Sequence, residues 1–436
     1  MIFKRRTTRN IIIRPLTLAL FCFFLYPPKL ISVPFLIPAI VYGVSIVYIL
    51  LNWKLILEAC FRQRKIIFLV LLLFVISLII PIINATDDFS YAFSAASYFL
   101  KKGIVYLFLL SFILKKYGKE KLLYHFMYYF IVTHVIYVIG TLILVFSPSI
   151  QNFWFGIFNK ESADVLLRSS GYTFRLGWQG FAGFTLTLNC TLSIIFLLFL
   201  KFETRPRMIT MSQFLIPFIA CMIGNMFYGR IGLIISIIVS SIAMIFWNRK
   251  HLEKIVLSVA FILLFILAIG TLKDVPFFSG WYNWMSRPII NLIDSGEFND
   301  KSFDRLQEMN QVEISPNTFV FGDGLYKDDE GRSYMDTDAG FIRNILFWGI
   351  FGAILSYGLT LYSIFELRKI SRMLVLQLLI TFFAFEYKGV VYYEFIVIDF
   401  IVMAAFYIAN NGRIDNKKVD DGIANAKQLK NGGATR

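Results

Sequence analysis

The feature that most restricts this chain is a succession of about twelve apolar stretches, each near the length that crosses a bilayer. They fall near 11–26, 31–52, 66–84, 94–114, 122–146, 179–200, 208–228, 231–248, 255–272, 340–365, 373–389 and 391–410. A spanning helix needs about 20 apolar residues to cross about 30 Å of hydrocarbon. Composition agrees: 58% of the 436 residues are hydrophobic and 16% are charged, with mean hydropathy +0.68. A soluble surface cannot be covered with so few polar residues. The expected fold is therefore all-α and polytopic, with about twelve transmembrane helices and a long external loop between the ninth and tenth. The fourth and eleventh stretches fit the pattern least. Lys101 and Lys102 would limit the membrane part of the fourth to 103–114, and Glu386 and Lys388 interrupt the eleventh.

The formal charge of +15 invites a nucleic-acid reading, but its distribution argues otherwise. With twelve helices both termini share a side. If that side is cytoplasmic, it holds 28 of the 43 basic residues. Every short loop then obeys the positive-inside rule, and the charge is mostly a topology signal. The basic start at Lys4, Arg5 and Arg6 resembles a signal peptide. Arg14 interrupts the apolar run, however, and Tyr26-Pro27-Pro28-Lys29 offers no small-residue cleavage site, so an uncleaved first helix is expected. Cys22, Cys60, Cys190 and Cys221 avoid the long loop and suggest no disulfide framework. His125, His134 and His251 lack zinc-ligand spacing.

The chain divides into 1–272, carrying the first nine helices with external loops 85–102 and 147–178; a large external loop at 273–339; helices ten to twelve at 340–410; and a basic cytoplasmic tail at 411–436. The large loop carries a net charge of about −7, with helical pieces expected near 286–294 and 303–313. Loops of that length are usually functional. Its off-centre position, with no matching half, weakens a transporter reading.

Charged residues at membrane level are costly and mark function. Arg175, before the sixth helix, and Arg230, in the tight turn Gly229-Arg230-Ile231-Gly232, should both lie at the external interface. The bland alternative is snorkelling to water. Nearby glycines would let a ligand or another backbone come close. Two guanidinium groups could hold a diphosphate by paired hydrogen bonds. Asp336 and Asp338 precede the tenth helix, where capping is the ordinary explanation; a carboxylate there could instead act as a general base. Arg343 follows about one turn later. Glu386, Lys388, Glu394 and Asp399 are further membrane-level charges whose role the sequence leaves open. Asp87 and Asp88 in the first external loop are either solvated or a pair of catalytic acids.

Taken in order, these motifs resemble the Wzy-type O-antigen polymerases, in the wider family that includes the O-antigen ligases. Arg175 with Gly177 precedes a membrane helix, and Gly229-Arg230-Ile231-Gly232 opens the next but one. The long loop contains Ser302-Phe303-Asp304-Arg305-Leu306 and Phe321-Gly322-Asp323-Gly324-Leu325. It closes with Asp338, eleven residues before the first glycine of Gly349-x-x-Gly352. In the ligase branch the position of Asp338 is usually histidine, so Asp338-Ala339 departs from that branch and favours polymerase over ligase.

The resemblance implies a bacterial inner-membrane glycosyltransferase with both termini cytoplasmic and its large loop periplasmic. It would join undecaprenyl-diphosphate-linked oligosaccharide units into O-antigen polysaccharide, working within lipopolysaccharide biosynthesis without metal or cofactor. Its partners would be that lipid-linked oligosaccharide, the bilayer and a chain-length regulator protein, with no nucleic acid. Asp338, Arg175 and Arg230 would be catalytic, and Arg305, Arg343, Arg168 and Asp336 would bind substrate. The alternatives are a lipid-linked oligosaccharide flippase or polysaccharide transporter, an O-antigen ligase, or another lipid-sugar transferase using Asp87 and Asp88.

Overall fold

The computed structural model describes residues 14–159, 175–204, 207–247 and 301–410. The ninth apolar stretch, Arg168, His251, the loop part 273–300 with its expected helix near 286–294, and the tail from 411 lie outside the described residues.

The first half comprises α1 (Pro15–Leu25), α2 (Leu36–Leu51), α3 (Trp53–Arg62), α4 (Arg64–Ile83), α5 (Ser90–Tyr117), α6 (Leu122–Phe146) and α7 (Pro148–Ile157). A small hairpin follows, with β1 (Leu176–Gly177) paired antiparallel to β2 (Gly180–Phe181). Then come α8 (Phe184–Leu198, extended by a wider turn to Glu203), α9 (Met211–Tyr228) and α10 (Arg230–Trp247). The loop contributes α11 (Lys301–Asn310), close to the helix expected near 303–313, and α12 (Pro316–Phe321). The chain returns to long helices with α13 (Gly340–Glu366), α14 (Arg372–Lys388) and α15 (Tyr392–Asn410).

Each described apolar stretch falls on a helix, but not all are long enough to cross. Among the described residues seven helices are long and apolar enough to span a membrane, or eight if the bent pair α2–α3 counts as one span. The fold is all-α with helices suited to a bilayer, and the described residues do not supply twelve complete spans. The first stretch shows why. Helix α1 covers 11 residues, about 16 Å at 1.5 Å per residue, because Tyr26-Pro27-Pro28 cannot continue it. Lys102, expected to cut the fourth span short, lies inside the unbroken 28-residue α5. Its ammonium donates to the terminal carbonyl of α1, Leu25 O, at 2.8 Å and sits over the Tyr26 ring. The cation of one helix thus satisfies the exposed end of another, as a water-poor environment demands.

Helix α8 is the centre of the packing: Leu186 through Leu198 are all buried. Its polar side chains face neighbours rather than lipid. Thr187 donates to Asn225 Oδ1 at 2.7 Å, and Asn225 donates to Ser236 at 2.8 Å, joining α8, α9 and α10. Outer helices leave Leu51, Phe68 and Ile83 exposed, the pattern expected of lipid-facing residues.

Helix α13 breaks at Gly349, whose φ is +68°. The break frees carbonyls that a regular helix would use, and the loop occupies them. Asp323 N–H donates to Leu346 O at 2.7 Å and Gly324 N–H to Phe347 O at 3.2 Å. The fit is tight: a Cβ at Gly349 would lie 2.2 Å from Val320 O, and one at Gly322 would lie 2.4 Å from Phe347 O. The motifs Gly322-Asp323-Gly324 and Gly349-x-x-Gly352 are therefore two halves of one joint.

Two glycine substitutions in α13 should behave oppositely. Gly349→Ala combines a backbone conformation costing about 1–3 kcal/mol for other residues with a collision, so detergent-solubilised protein should unfold several degrees below wild type. Gly358 has open space around it, and Gly358→Ala should be neutral or stabilising by up to about 1 kcal/mol. Equal melting temperatures for wild type and Gly349→Ala would refute the joint.

Candidate functional site

A cavity of about 360 Å3 opens where the ends of six helices meet, a size within the usual range of small-molecule sites. Its wall takes Phe184 from the start of α8, Tyr228 from the end of α9, Ile231 from the start of α10 and Arg343 from the start of α13. Lys388 comes from the end of α14 and Tyr393 from the start of α15. Met309 and Tyr326 of the long loop, together with Arg175 and Asp338, complete it.

Arg175 is held at φ +66° ahead of the β1–β2 hairpin. Its N–H donates to Phe227 O at 3.3 Å, and its carbonyl accepts from Ala182 N–H at 2.5 Å. The hairpin turn is anchored at the Trp178 carbonyl, which accepts from Trp154 Nε1 at 2.6 Å and Asn159 Nδ2 at 3.0 Å. Arg230 opens α10 directly after the α9 turn. Thr187 fixes that turn by donating to Gly229 O at 3.1 Å. The neighbouring glycines serve packing rather than ligand approach: a Cβ at Gly232 would lie 2.1 Å from Thr187 Oγ1, and one at Gly177 would lie 2.4 Å from the Tyr137 hydroxyl. Lys388, left open by sequence reasoning, is within electrostatic reach of both Arg175 and Arg230.

Asp338 and Arg343 form the opposite wall. Asp338 does not cap α13; that helix begins after Ala339 with no side-chain cap. Its carboxylate accepts from Ser333 Oγ at 2.5 Å and lies 3.7 Å from Arg343 Nη1. The Arg343 guanidinium stacks 3.5 Å above the centroid of the Tyr326 ring and donates to Tyr326 O at 2.9 Å. Burial raises the Tyr326 hydroxyl above its ordinary pKa despite the opposing pull of Arg343. Among the charged groups on the cavity wall, Arg175, Arg343 and Lys388 face one acid, Asp338, so the cavity favours an anion.

Two expected site residues sit elsewhere. Arg305 donates to the Asp336 carboxylate at 2.5 Å, and both are exposed. They pair with each other outside the cavity, and Asp336 caps nothing. Glu386, which the sequence left unassigned, is fully buried behind the wall. It accepts from Asn344 Nδ2 at 3.0 Å, the Tyr357 hydroxyl at 3.2 Å and Val391 N–H at 2.7 Å. It thereby ties the start of α13 to the break between α14 and α15, on either side of which Arg343 and Lys388 project.

Asp88 is neither a free acid nor part of the cavity. It accepts from Tyr326 N–H at 2.6 Å and Lys327 N–H at 2.7 Å, docking the long loop on the α4–α5 turn, while Asp87 is exposed. Partial burial pushes the Asp88 carboxyl up, but bonds from Ser90, Lys327 and Tyr326 outweigh it and hold the pKa below the ordinary value. A carboxylate shifted down stabilises the fold above its unfolded pKa of about 4 and loses that contribution as pH falls through the folded value. Asp88→Asn should therefore melt below wild type by a constant margin above about pH 5, and the margin should shrink on acidification below about pH 4. A margin independent of pH would contradict the charged acceptor. Compared with protein-family models and with curated proteins, the chain matches none.

Proposed function

We propose that this protein polymerises oligosaccharide units carried on a lipid diphosphate, by glycosyl transfer at the external face of a bacterial inner membrane, as the O-antigen polymerases that its motifs resemble do. The observation that carries the proposal is the cationic cavity itself: Arg175, Arg343 and Lys388, from separate elements, line one wall with a single acid, Asp338, and Arg230 lies within electrostatic reach of Lys388.

The chemistry needs two things. A growing chain leaves its lipid diphosphate, so negative charge develops on the departing phosphate. The acceptor unit attacks the anomeric carbon through a hydroxyl, which must lose its proton. Preorganised cations serve the first need without reorganisation during the reaction, and a guanidinium can meet two phosphate oxygens at once. Asp338 serves the second as general base, with Arg343 Nη1 3.7 Å from its carboxylate. Arg305 and Asp336, paired on the surface, would act in this scheme by holding the loop rather than by binding diphosphate. A chain-length regulator would be a partner of this polymerase.

Purified protein incubated with lipid-linked repeat units should yield long chains, with or without chelator. A metal requirement would contradict the cation-only scheme, and movement of a labelled unit across vesicles without bond formation would assign a flippase instead. Arg175→Ala and Arg230→Ala should remain in the membrane yet lower polymerisation by about 10²–10³-fold, the usual cost of losing one charge-stabilising group. Asp338→Ala should also lose long chains, and wild-type chain length from it would remove the base.

A further inference from the structure

A second cavity, of about 500 Å3, lies at the other end of the helices. Helix α13 runs from Arg343 at the external site to Glu366 at this one, with Lys369 in the turn just beyond it. Helix α15 runs from Tyr393 at the external site to Tyr407 here. The rest of the wall comes from the sharp α3–α4 junction. By the loop charges this is the cytoplasmic side.

Its wall carries four cations, Arg62, Arg64, Lys65 and Lys369, against one acid, Glu366. That acid is already engaged by Lys369 and by the Tyr407 hydroxyl. Aromatic rings hold the basic side chains in place: Arg62 sits 5.8 Å from the Tyr407 ring centroid, and Arg64 sits 5.3 Å from that of Phe61. Arg62 has one outside partner, Glu58, at 3.6 Å. Gln63 lines the same cavity and is anchored by donating to Phe400 O at 3.0 Å. Its own amide oxygen is buried and without a hydrogen-bond partner among the described residues. Phe61, Phe68 and Phe365 are exposed around this end of the molecule. A cationic pocket rimmed by exposed apolar rings at a membrane interface suits a ligand with an anionic head and apolar tails.

We propose that this cavity binds the headgroup of an anionic phospholipid of the adjoining leaflet. The phosphate lies among Arg62, Arg64, Lys65 and Lys369, and the acyl chains run along the apolar outer faces of α4 and α13. The site is separate from the external cavity and does not depend on the reaction assigned there.

Binding can be read by native mass spectrometry and thermal unfolding of the detergent-purified full chain. Phosphatidylglycerol, phosphatidylcholine and inorganic phosphate are the probes. Wild type should retain phosphatidylglycerol in preference to phosphatidylcholine and melt higher in its presence. Each charge removed should weaken retention about fivefold, the effect of one basic residue near an anionic surface. Arg62→Gln/Arg64→Gln and Lys65→Gln/Lys369→Gln should both lose the preference, and the second pair serves if the first fails to fold. Lys115→Gln/Lys119→Gln, with the same loss of charge outside the cavity, should keep it. Equal retention of the two lipids by wild type, or unchanged preference in the lysine pair, would overturn the site. So would loss of preference in the control pair. Stabilisation by inorganic phosphate equal to that by lipid would replace the lipid with a soluble phosphoryl ligand and overturn the proposal as stated.

Discussion

The break in α13 at Gly349 is the constraint on which the cavity-bearing half of this molecule depends. A carbonyl without a partner is costly wherever water is scarce, so a helix interrupted at that depth must find new donors. Here the donors are Asp323 and Gly324 of the long loop. The loop is thus bound to the helical body by backbone bonds that cannot be given up cheaply. Once fixed there, and held again by Asp88, it delivers Tyr326 against Arg343 and Met309 to the cavity wall. The position of Arg343, and through it that of Asp338, follows from a glycine that lies six residues further along the same helix.

The same demand for satisfied polar groups explains the buried charges elsewhere. Lys102 would be a liability in the middle of α5 were it not for the open carbonyl end of α1, and α1 could not end where it does without that lysine. Glu386 gathers three donors, two from α13 and one from the break between α14 and α15. Neither residue lines the cavity: Glu386 fixes helices that do, whereas Lys102 joins α1 to α5, which do not. Charge at membrane level is a reasonable signal of function, but it marks such structural locks as readily as it marks ligand-binding groups.

What the sequence disclosed follows from this distinction. Periodicity and hydropathy are local, so the helices at 122–146, 208–228, 340–365 and 391–410 were legible almost to their ends, and Arg175, Asp338 and Arg343 were marked by their place at helix boundaries. Features depending on two distant segments were not legible. Lys388 was visible as a charge, but only the packing of α14 against α8 and α10 brings it within electrostatic reach of Arg175. Asp88 was visible as an acid, but its partners are backbone groups more than 200 residues away, which leave no side-chain signature. Arg305 and Asp336 illustrate the opposite error: each had a reasonable chemistry alone, and together they neutralise one another on the surface. Glycines near the arginines suggested room for a ligand, whereas Thr187, Asn225 and Tyr137 already take up that room.

The placement of the cavity cations on separate elements has a physical consequence for the proposed reaction. Like charges brought together in a poorly hydrated site repel, and a single flexible segment carrying them would relax by turning one side chain outward. Arg175 is instead fixed by a hairpin, Arg230 by the Thr187-supported turn, Arg343 by the Tyr326 ring and Lys388 by a helix end that Glu386 clamps. Separate anchors keep these cation-bearing elements beside one another, where mutual repulsion raises the energy of the site. An anion entering the cavity relieves it, and an anion whose charge increases as a bond breaks relieves it more. Such a site stabilises a departing diphosphate more than it stabilises the intact lipid-linked donor, the differential on which catalysis by preorganised charge depends.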